Sequence, residues 1–502
     1  MPQKFFSSLC VPIFERSAEQ SIAIADKASR KALWLEFRLD HLSSLSQIPI
    51  LLKGLSSRRF RRNRLIFTLR RREAGGRFRG SIRAQMDWLQ KTAVFREWID
   101  LEVETVRKFG VRGIENLKKA GSRVVVSYHN FKKTPSHIEA IADQLLSTNS
   151  DMIKIATLAN SLADCARLLD LQARLHKQKQ RSILLGMGAT GLPTRLLGPS
   201  RGAEFTFAAL KSGKSSAPGQ CALEDLLHRY RIDRINSKTR LFGILGHPLE
   251  HSLSPELYNT AFHCLGINAA FLPFDTLDLE DFPDWARQLK LNGLSVTLPH
   301  KSAVMKFCQH LDPLAEKAGA ANTIVRQGSR WNAYNTDMLG IARVLEKHKV
   351  PLAGARVLLL GAGGAARAAA AWLALKKSRV CICSRTHRSA VDLARQFSHE
   401  AIRPSQLSGQ HFDLVINATP VGMWPRTSAV PLDVAKINAS VVFDMVYNPP
   451  RTRLLQHAQK QGALTISGVE MFQAQAEAQF EIMTRQPLPR GIWRRLKADH
   501  QP

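Results

Sequence analysis

Lys154 sits in Asp151-Met152-Ile153-Lys154-Ile155-Ala156, a run that is otherwise apolar around it. A lysine kept from water beside other cations has a lowered pKa and becomes a nucleophilic amine. Standing alone, it reads equally well as a snorkelling or ion-paired side chain. It does not stand alone. His129, in Ser127-Tyr128-His129-Asn130, can move protons near neutral pH. Glu36 and Arg38, Arg70, and Glu102 and Glu104 also fall at the ends of β-rich runs. Charges in apolar strands are costly unless paired or functional, so seven of them at strand ends mark a site. A second constellation follows downstream: His251-Ser252-Leu253-Ser254-Pro255, then Ser295-Val296-Thr297-Leu298-Pro299-His300-Lys301, then Gly319-Ala320-Ala321-Asn322-Thr323 and Tyr334-Asn335-Thr336-Asp337. Ser254 is placed to cap a helix starting at Pro255, and Lys301 falls at a helix start, where the dipole disfavours a cation. A third is Gly361-Ala362-Gly363-Gly364-Ala365-Ala366 behind the apolar run Val357–Leu360. This is the G-x-G-x-x-A dinucleotide fingerprint in its strand–turn–helix setting. The next strand, Val380-Cys381-Ile382-Cys383, ends in Ser384-Arg385-Thr386-His387-Arg388, where an NAD site carries Asp or Glu. Arginine there suits a 2′-phosphate, which favours NADP over NAD.

These residues need rigid elements to position them. Apolar runs near 5–14, 32–39, 64–70, 98–104, 123–129, 151–157, 181–187 and 203–208 recur at intervals of roughly thirty residues, each followed by a helical pattern. Eight strand–helix units predict a (β/α)₈ barrel, with its polar residues at the strand ends where such barrels place their chemistry. After a polar joint near Ile235-Asn236-Ser237-Lys238, an α/β region leads into a Rossmann pattern. The expected domains are a barrel over 1–236, a substrate domain over 237–337 completed by 466–502, and a dinucleotide-binding domain over 338–465. Cys381 and Cys383 alternate along one strand, and one of the two is expected to be buried.

Over almost all of residues 5–231 these patterns resemble the type I 3-dehydroquinate dehydratases, down to the closing Ser216-Ala217-Pro218-Gly219-Gln220. The resemblance implies a Schiff base between Lys154 and a ring ketone, with His129 as general base and acid. It also implies substrate contacts from Glu36, Arg38, Arg70, Arg195, Ser216 and Gln220. Asn130 stands where many relatives have Asp, and the lid glutamate is either Glu73 or lost. Residues 240–485 resemble shikimate dehydrogenase. Lys301 and Asp337 match its catalytic pair, and Ser252, Ser254, Thr297, Asn322, Tyr447 and Gln475 match its substrate contacts. Gly361, Gly363, Gly364, Ala365, Ser384, Arg385, Thr386 and Arg388 match its NADP site. His247 and Ser384 each stand where Asn is usual, and Met338 replaces a usual Gly beside Asp337, where its bulk could narrow the cleft.

The implied function is bifunctional: 3-dehydroquinate is dehydrated to 3-dehydroshikimate, which NADPH then reduces to shikimate. An alternative keeps the folds with an inactive barrel beside a shikimate or quinate dehydrogenase. The 502 residues carry 72 Lys and Arg against 41 Asp and Glu, for a net charge of +31. This reads mainly as a solvated basic surface, suited to small carboxylates and a phosphorylated cofactor. No nucleic-acid motif accompanies it, and specific nucleic-acid binding is not expected. The seven cysteines form no CxxC pair, so neither a disulfide framework nor a metal site is expected. No apolar run reaches the ~20 residues of a membrane span, and Phe5–Phe14 reads as a first strand rather than a signal peptide. A cytoplasmic protein is expected, and two domains on one chain are compatible with a monomer.

Overall fold

A computed structural model describes residues 6–211, 213, 217–250, 252–433 and 437–499. Eight strands come first: β1 (Phe6–Ile13), β2 (Ala32–Arg38), β3 (Arg64–Thr68), β4 (Trp98–Glu102), β5 (Arg123–Asn130), β6 (Met152–Leu158), β7 (Ser182–Met187) and β8 (Thr206–Phe207). They pair in parallel in the order β7-β6-β5-β4-β3-β2-β1-β8. At the remaining seam the backbone N–H of Glu204 donates to the carbonyl of Ser182 at 3.1 Å. The result is a nearly closed α/β barrel, with β8 reduced to two residues.

The strand period of two explains how this barrel makes a site. Trp34, Ile66, Trp98, Val125 and Met152 pack together as an apolar plug. Two residues further along the same strands stand Glu36, Thr68, Asp100, Ser127 and Lys154. The interior therefore turns from hydrocarbon to charge within one pleat. Two placements differ from expectation. Arg70 lies beyond β3, which ends at Thr68, and Glu104 belongs to the helix Val103–Lys119 rather than to a strand end.

Two further sheets follow. β9 (Arg240–Gly246), β10 (Ala269–Asp275), β11 (Leu291–Val296), β12 (His310–Leu311), β13 (Thr323–Gln327) and β14 (Arg330–Tyr334) are ordered β10-β9-β11-β13-β14-β12. β15 (Arg356–Leu360), β16 (Arg379–Cys383), β17 (Glu400–Ala401), β18 (His411–Asn417), β19 (Asn438–Asp444) and β20 (Leu464–Ser467) are parallel in the order β17-β16-β15-β18-β19-β20. This is the doubly wound order, and its direction reverses between β15 and β18, where such sheets bind dinucleotides. By its contacts the chain divides into two compact units: Met1–Gly243 with Pro248–Lys290, and Ile244–His247 with Leu291–Pro502. The division passes through β9.

Both Cys381 and Cys383 are buried, because residues two apart on a strand share a face. Met338 is fully buried among Ile341, Val344 and Ala366 in the core of the second unit, so its bulk fills that core and not a cleft. Among the described residues no helix is long and apolar enough to cross a membrane, and no group of three His, Cys, Asp or Glu could hold a metal.

Trp34 is fully buried against Trp98 and Phe205, with ring centroids 5.4 and 4.8 Å away. Trp34→Ala should lower barrel stability by about 3–5 kcal/mol, read as an earlier urea midpoint for the barrel's near-UV signal.

Candidate active sites

In the first unit, Glu36, Arg38, Arg70, His129, Lys154, Arg195 and Gln220 line one cavity of about 70 Å³. Ser216 lies outside the described residues. Lys154 Nζ donates to Asp100 Oδ2 at 3.1 Å and to Glu36 Oε1 at 3.4 Å, and it lies 4.7 Å from the centre of the Phe207 ring. The expectation of a lysine beside cations is thus corrected: its direct ionic partners are two carboxylates.

Asp100 is the residue that sequence reasoning passed over. Its signal was present, since Asp100 and Glu102 alternate in Trp98-Ile99-Asp100-Leu101-Glu102 and so share a face. Arg70 Nη2 and Lys154 Nζ both donate to Asp100 Oδ2, at 2.8 and 3.1 Å, and Ser127 Oγ donates to Oδ1 at 2.6 Å. Burial alone would raise this carboxyl, but Arg70 and Lys154 hold it well below the usual carboxylate range. Burial opposes the Arg70 cation, yet Asp100, Glu102 and Glu36 outweigh that and raise it. Glu102 in turn accepts from the Arg71 backbone N–H and Nε at 2.9 and 2.7 Å. Arg38 forks onto Asp40 at 2.9 and 2.8 Å.

Arg195 is 2% exposed and differs from these cations. Its Nη2 donates to the Pro218 carbonyl at 3.2 Å, and among the described residues its Nε has no hydrogen-bond partner and the side chain has no acidic partner. Burial pulls its pKa down to about 10. A cation left in this state is suited to an incoming carboxylate.

His129 is held well below the usual imidazole range, first by burial and then by Arg70 and Lys154. It is therefore neutral at physiological pH, and a neutral imidazole keeps a ring nitrogen with a free lone pair. Asn130 does not orient it: Asn130 Oδ1 accepts from the backbone of Lys132 and Lys133, and its Nδ2 donates to Tyr128. Glu73 is exposed, and among the described residues it is ion-paired only to Arg71, at 3.7 Å, and does not line the cavity.

In the second unit, Lys301 Nζ donates to Asp337 Oδ2 at 2.5 Å. Asn322 Nδ2 donates to Asp337 Oδ1, Thr336 Oγ1 and Gln475 Oε1 at 2.9, 2.8 and 3.4 Å. The Thr336 N–H returns to Asn322 Oδ1 at 2.7 Å. Gln475, on the helix Gly468–Thr484, is thus part of the network and not a surface residue. Thr336 and Gln479 complete it, Gln479 Nε2 donating to Thr323 Oγ1 at 2.7 Å. Tyr447 stacks on Phe472 at 4.7 Å, and burial pushes its phenol up. Thr297 follows β11 with its N–H on the Leu245 carbonyl. Lys301 lies in a turn before the short helix Ala303–Phe307.

In the first unit, Ser252 and Ser254 lead into the helix Ser254–Cys264. Ser254 is the first residue of that helix rather than its cap, and its N–H donates to Ser252 Oγ at 3.3 Å.

The fingerprint turn fits a dinucleotide. Gly361 has φ +112°, and a Cβ there would lie 3.1 Å from the Ala418 carbonyl, so only glycine suits it. Space beyond Gly363 is open, at the start of the helix Gly364–Leu375, where Ala365 stands in the first turn. Ser384, Arg385, Thr386 and Arg388 follow β16. Arg385 and Arg388 are exposed, and among the described residues they make no ion pair.

A barrel carrying a buried lysine beside a neutral histidine defines a carbonyl-directed lyase site, and a lysine–aspartate pair ahead of a doubly wound sheet defines a dehydrogenase. Comparison with known proteins agrees. Residues 9–237 match the type I 3-dehydroquinase model, 244–324 the shikimate dehydrogenase substrate binding domain, and 344–422 shikimate / quinate 5-dehydrogenase. The chloroplastic bifunctional 3-dehydroquinate dehydratase/shikimate dehydrogenase of Arabidopsis thaliana is 33% identical over 97% of this chain and 83% of its own. The shikimate biosynthesis protein AroDE of Chlamydia pneumoniae is 30% identical over 79% of this chain and 81% of its own. The shikimate dehydrogenase (NADP(+)) of Methanopyrus kandleri is 39% identical over 53% of this chain and 97% of its own. The chain belongs to the family of bifunctional 3-dehydroquinate dehydratase/shikimate dehydrogenases.

The depressed His129 predicts a pH effect with a definite sign. Below pH ~6.5 the unfolded chain takes up a proton at this imidazole that the folded chain refuses, so stability falls as pH drops. His129→Gln should flatten that fall, read as denaturation midpoints measured between pH 8 and 5.

Proposed function

We propose that the chain carries out two successive reactions, dehydrating 3-dehydroquinate to 3-dehydroshikimate and reducing that product to shikimate with NADPH. The observation that carries the reading is the pairing of the Lys154 cavity with the Lys301–Asp337 pair on one chain.

In the barrel, Lys154 adds to the ring ketone and loses water, giving an iminium. Glu36 and Asp100 hold its nitrogen in place. The iminium draws electrons and acidifies the neighbouring carbon, and neutral His129 takes that proton. The β-hydroxyl then leaves as water, with His129 returning a proton to it. Hydrolysis of the imine frees Lys154 and the product. Arg195 receives the substrate carboxylate, and Glu36, Arg38, Arg70, Ser216 and Gln220 contact the ring.

In the dehydrogenase, Gly361, Gly363, Gly364, Ala365, Ser384, Arg385, Thr386 and Arg388 would hold NADPH, which when bound supplies a hydride to the ketone. Lys301 donates a hydrogen bond to the ketone oxygen and then a proton to the new alkoxide, while Asp337, fixed by Asn322, keeps Lys301 aimed. Ser252, Ser254, Thr297, Asn322, Tyr447 and Gln475 contact the substrate. The basic surface gathers these anionic metabolites without a specific nucleic-acid or membrane partner, and the chain acts in the cytoplasm as a monomer.

The test is a coupled assay in which 3-dehydroquinate drives loss of NADPH absorbance. Lys154→Ala should abolish that flux while 3-dehydroshikimate reduction continues. Borohydride should trap a substrate adduct on the wild type and none on Lys154→Ala, by intact mass. Lys301→Ala should cut kcat for reduction by about 10²–10⁴-fold and leave dehydration unchanged. Arg385→Ala with Arg388→Ala should raise KM for NADPH about tenfold or more, with no matching rise for NADH.

A further inference from the structure

The segment that matches the dehydroquinase model reaches across to a loop of the segment that matches the substrate binding domain. Arg229 ends the helical turn Asp225–Arg229, upstream of β9. Its Nη2 donates to the Ser252 carbonyl at 2.6 Å and to the Glu250 carbonyl at 3.3 Å. Its own carbonyl accepts from Asn259 Nδ2 at 3.0 Å. That same amide pairs with the Phe271 backbone in both directions, at 2.9 and 2.8 Å, which ties the helix Ser254–Cys264 to β10. Arg229 is therefore bonded through side chain and backbone to the element that leads out of Ser252 and Ser254. All of these residues lie in the first compact unit.

We infer that Arg229 is a positioning residue for the reduction site, acting through the backbone of the Ser252–Ser254 loop. The inference rests on Ser252 and Ser254 contacting substrate. Two carbonyls of one short loop converge on a single guanidinium, and charge-assisted bonds of this kind are the stronger class. Without that cation the carbonyls turn to water, and the loop spreads over conformations in which Ser252 and Ser254 are no longer held in one arrangement. Ordering the loop then has to be completed at each binding event, and the loss shows in binding. The residue lies outside the chemistry of both reactions, and no step in either uses its charge.

The experiment uses the full chain with Arg229→Ala, Arg229→Lys and Ser252→Ala. Arg229→Ala should raise KM for 3-dehydroshikimate about tenfold, with kcat changed by less than about threefold and KM for NADPH and the dehydration rate unchanged. Arg229→Lys should recover part of the loss, since an ammonium still reaches one carbonyl. Ser252→Ala should also raise KM for 3-dehydroshikimate. If Ser252→Ala raises KM and Arg229→Ala does not, the positioning role is wrong while the loop assignment stands. If neither raises it, the loop assignment fails first. If Arg229→Ala lowers the dehydration rate and melting temperature together, Arg229 is a structural tie, and the inference is overturned.

Discussion

A carboxylate with almost no access to water, Asp100, bridges Arg70 and Lys154, and the barrel site is built on that bridge. Buried charges are tolerated when each is matched, and removing one partner of such a pair costs about 3–5 kcal/mol because the other is left stranded. Asp100 therefore cannot move without releasing two cations, and neither cation can leave its place. Ser127 on the next strand donates to its other oxygen. The amine of Lys154 is held by ionic contacts rather than by hydrocarbon alone, and burial, with Arg70 and Lys154 beside it, leaves His129 neutral. Arg195 is the contrasting case, a cation with protein contacts on one side and no acid among the described residues. The site is balanced where it must stay rigid and unbalanced where a carboxylate would enter.

The second unit solves the same positioning problem with a neutral group. Asn322 donates to Asp337, Thr336 and Gln475 and accepts from Thr336, so two helices converge on one amide. An amide fixes direction through geometry and adds no charge of its own. Lys301 and Asp337 are then the charged pair held by this amide, and among the described residues neither makes another ion pair.

Much of this was legible in the chain. The eight β-rich runs and the fingerprint turn have local causes, period-two burial and glycine at a positive φ, and a sequence carries such causes openly. The cavity residues were legible for a related reason: Glu36, Arg38 and Lys154 break apolar runs at a cost that calls for explanation. What escaped was pairing across strands. Asp100 faces Lys154 only through the curvature of the barrel, so the expectation of a cation-flanked lysine missed its carboxylates. Met338 was misjudged for the opposite reason, since its neighbour Asp337 faces the site while the helix Thr336–Lys347 turns Met338 into the core. Ser254 shows the limit of local rules: the helix begins one residue earlier than its proline suggested.

One contact in the second unit bears on how such a protein could be altered. A Cβ placed on Gly364 would lie 2.8 Å from Cδ of Lys301 and 3.0 Å from its Cβ. The bare α-carbon in the glycine-rich turn is thus the seat against which the stem of Lys301 rests. The fingerprint turn and Lys301 occupy one shared volume, so they are not interchangeable parts. Grafting a nucleotide turn from another dehydrogenase, chosen only for its cofactor preference, would displace the Lys301 side chain unless the incoming turn kept glycine there. Drift in one motif is constrained by the other across some sixty positions of sequence.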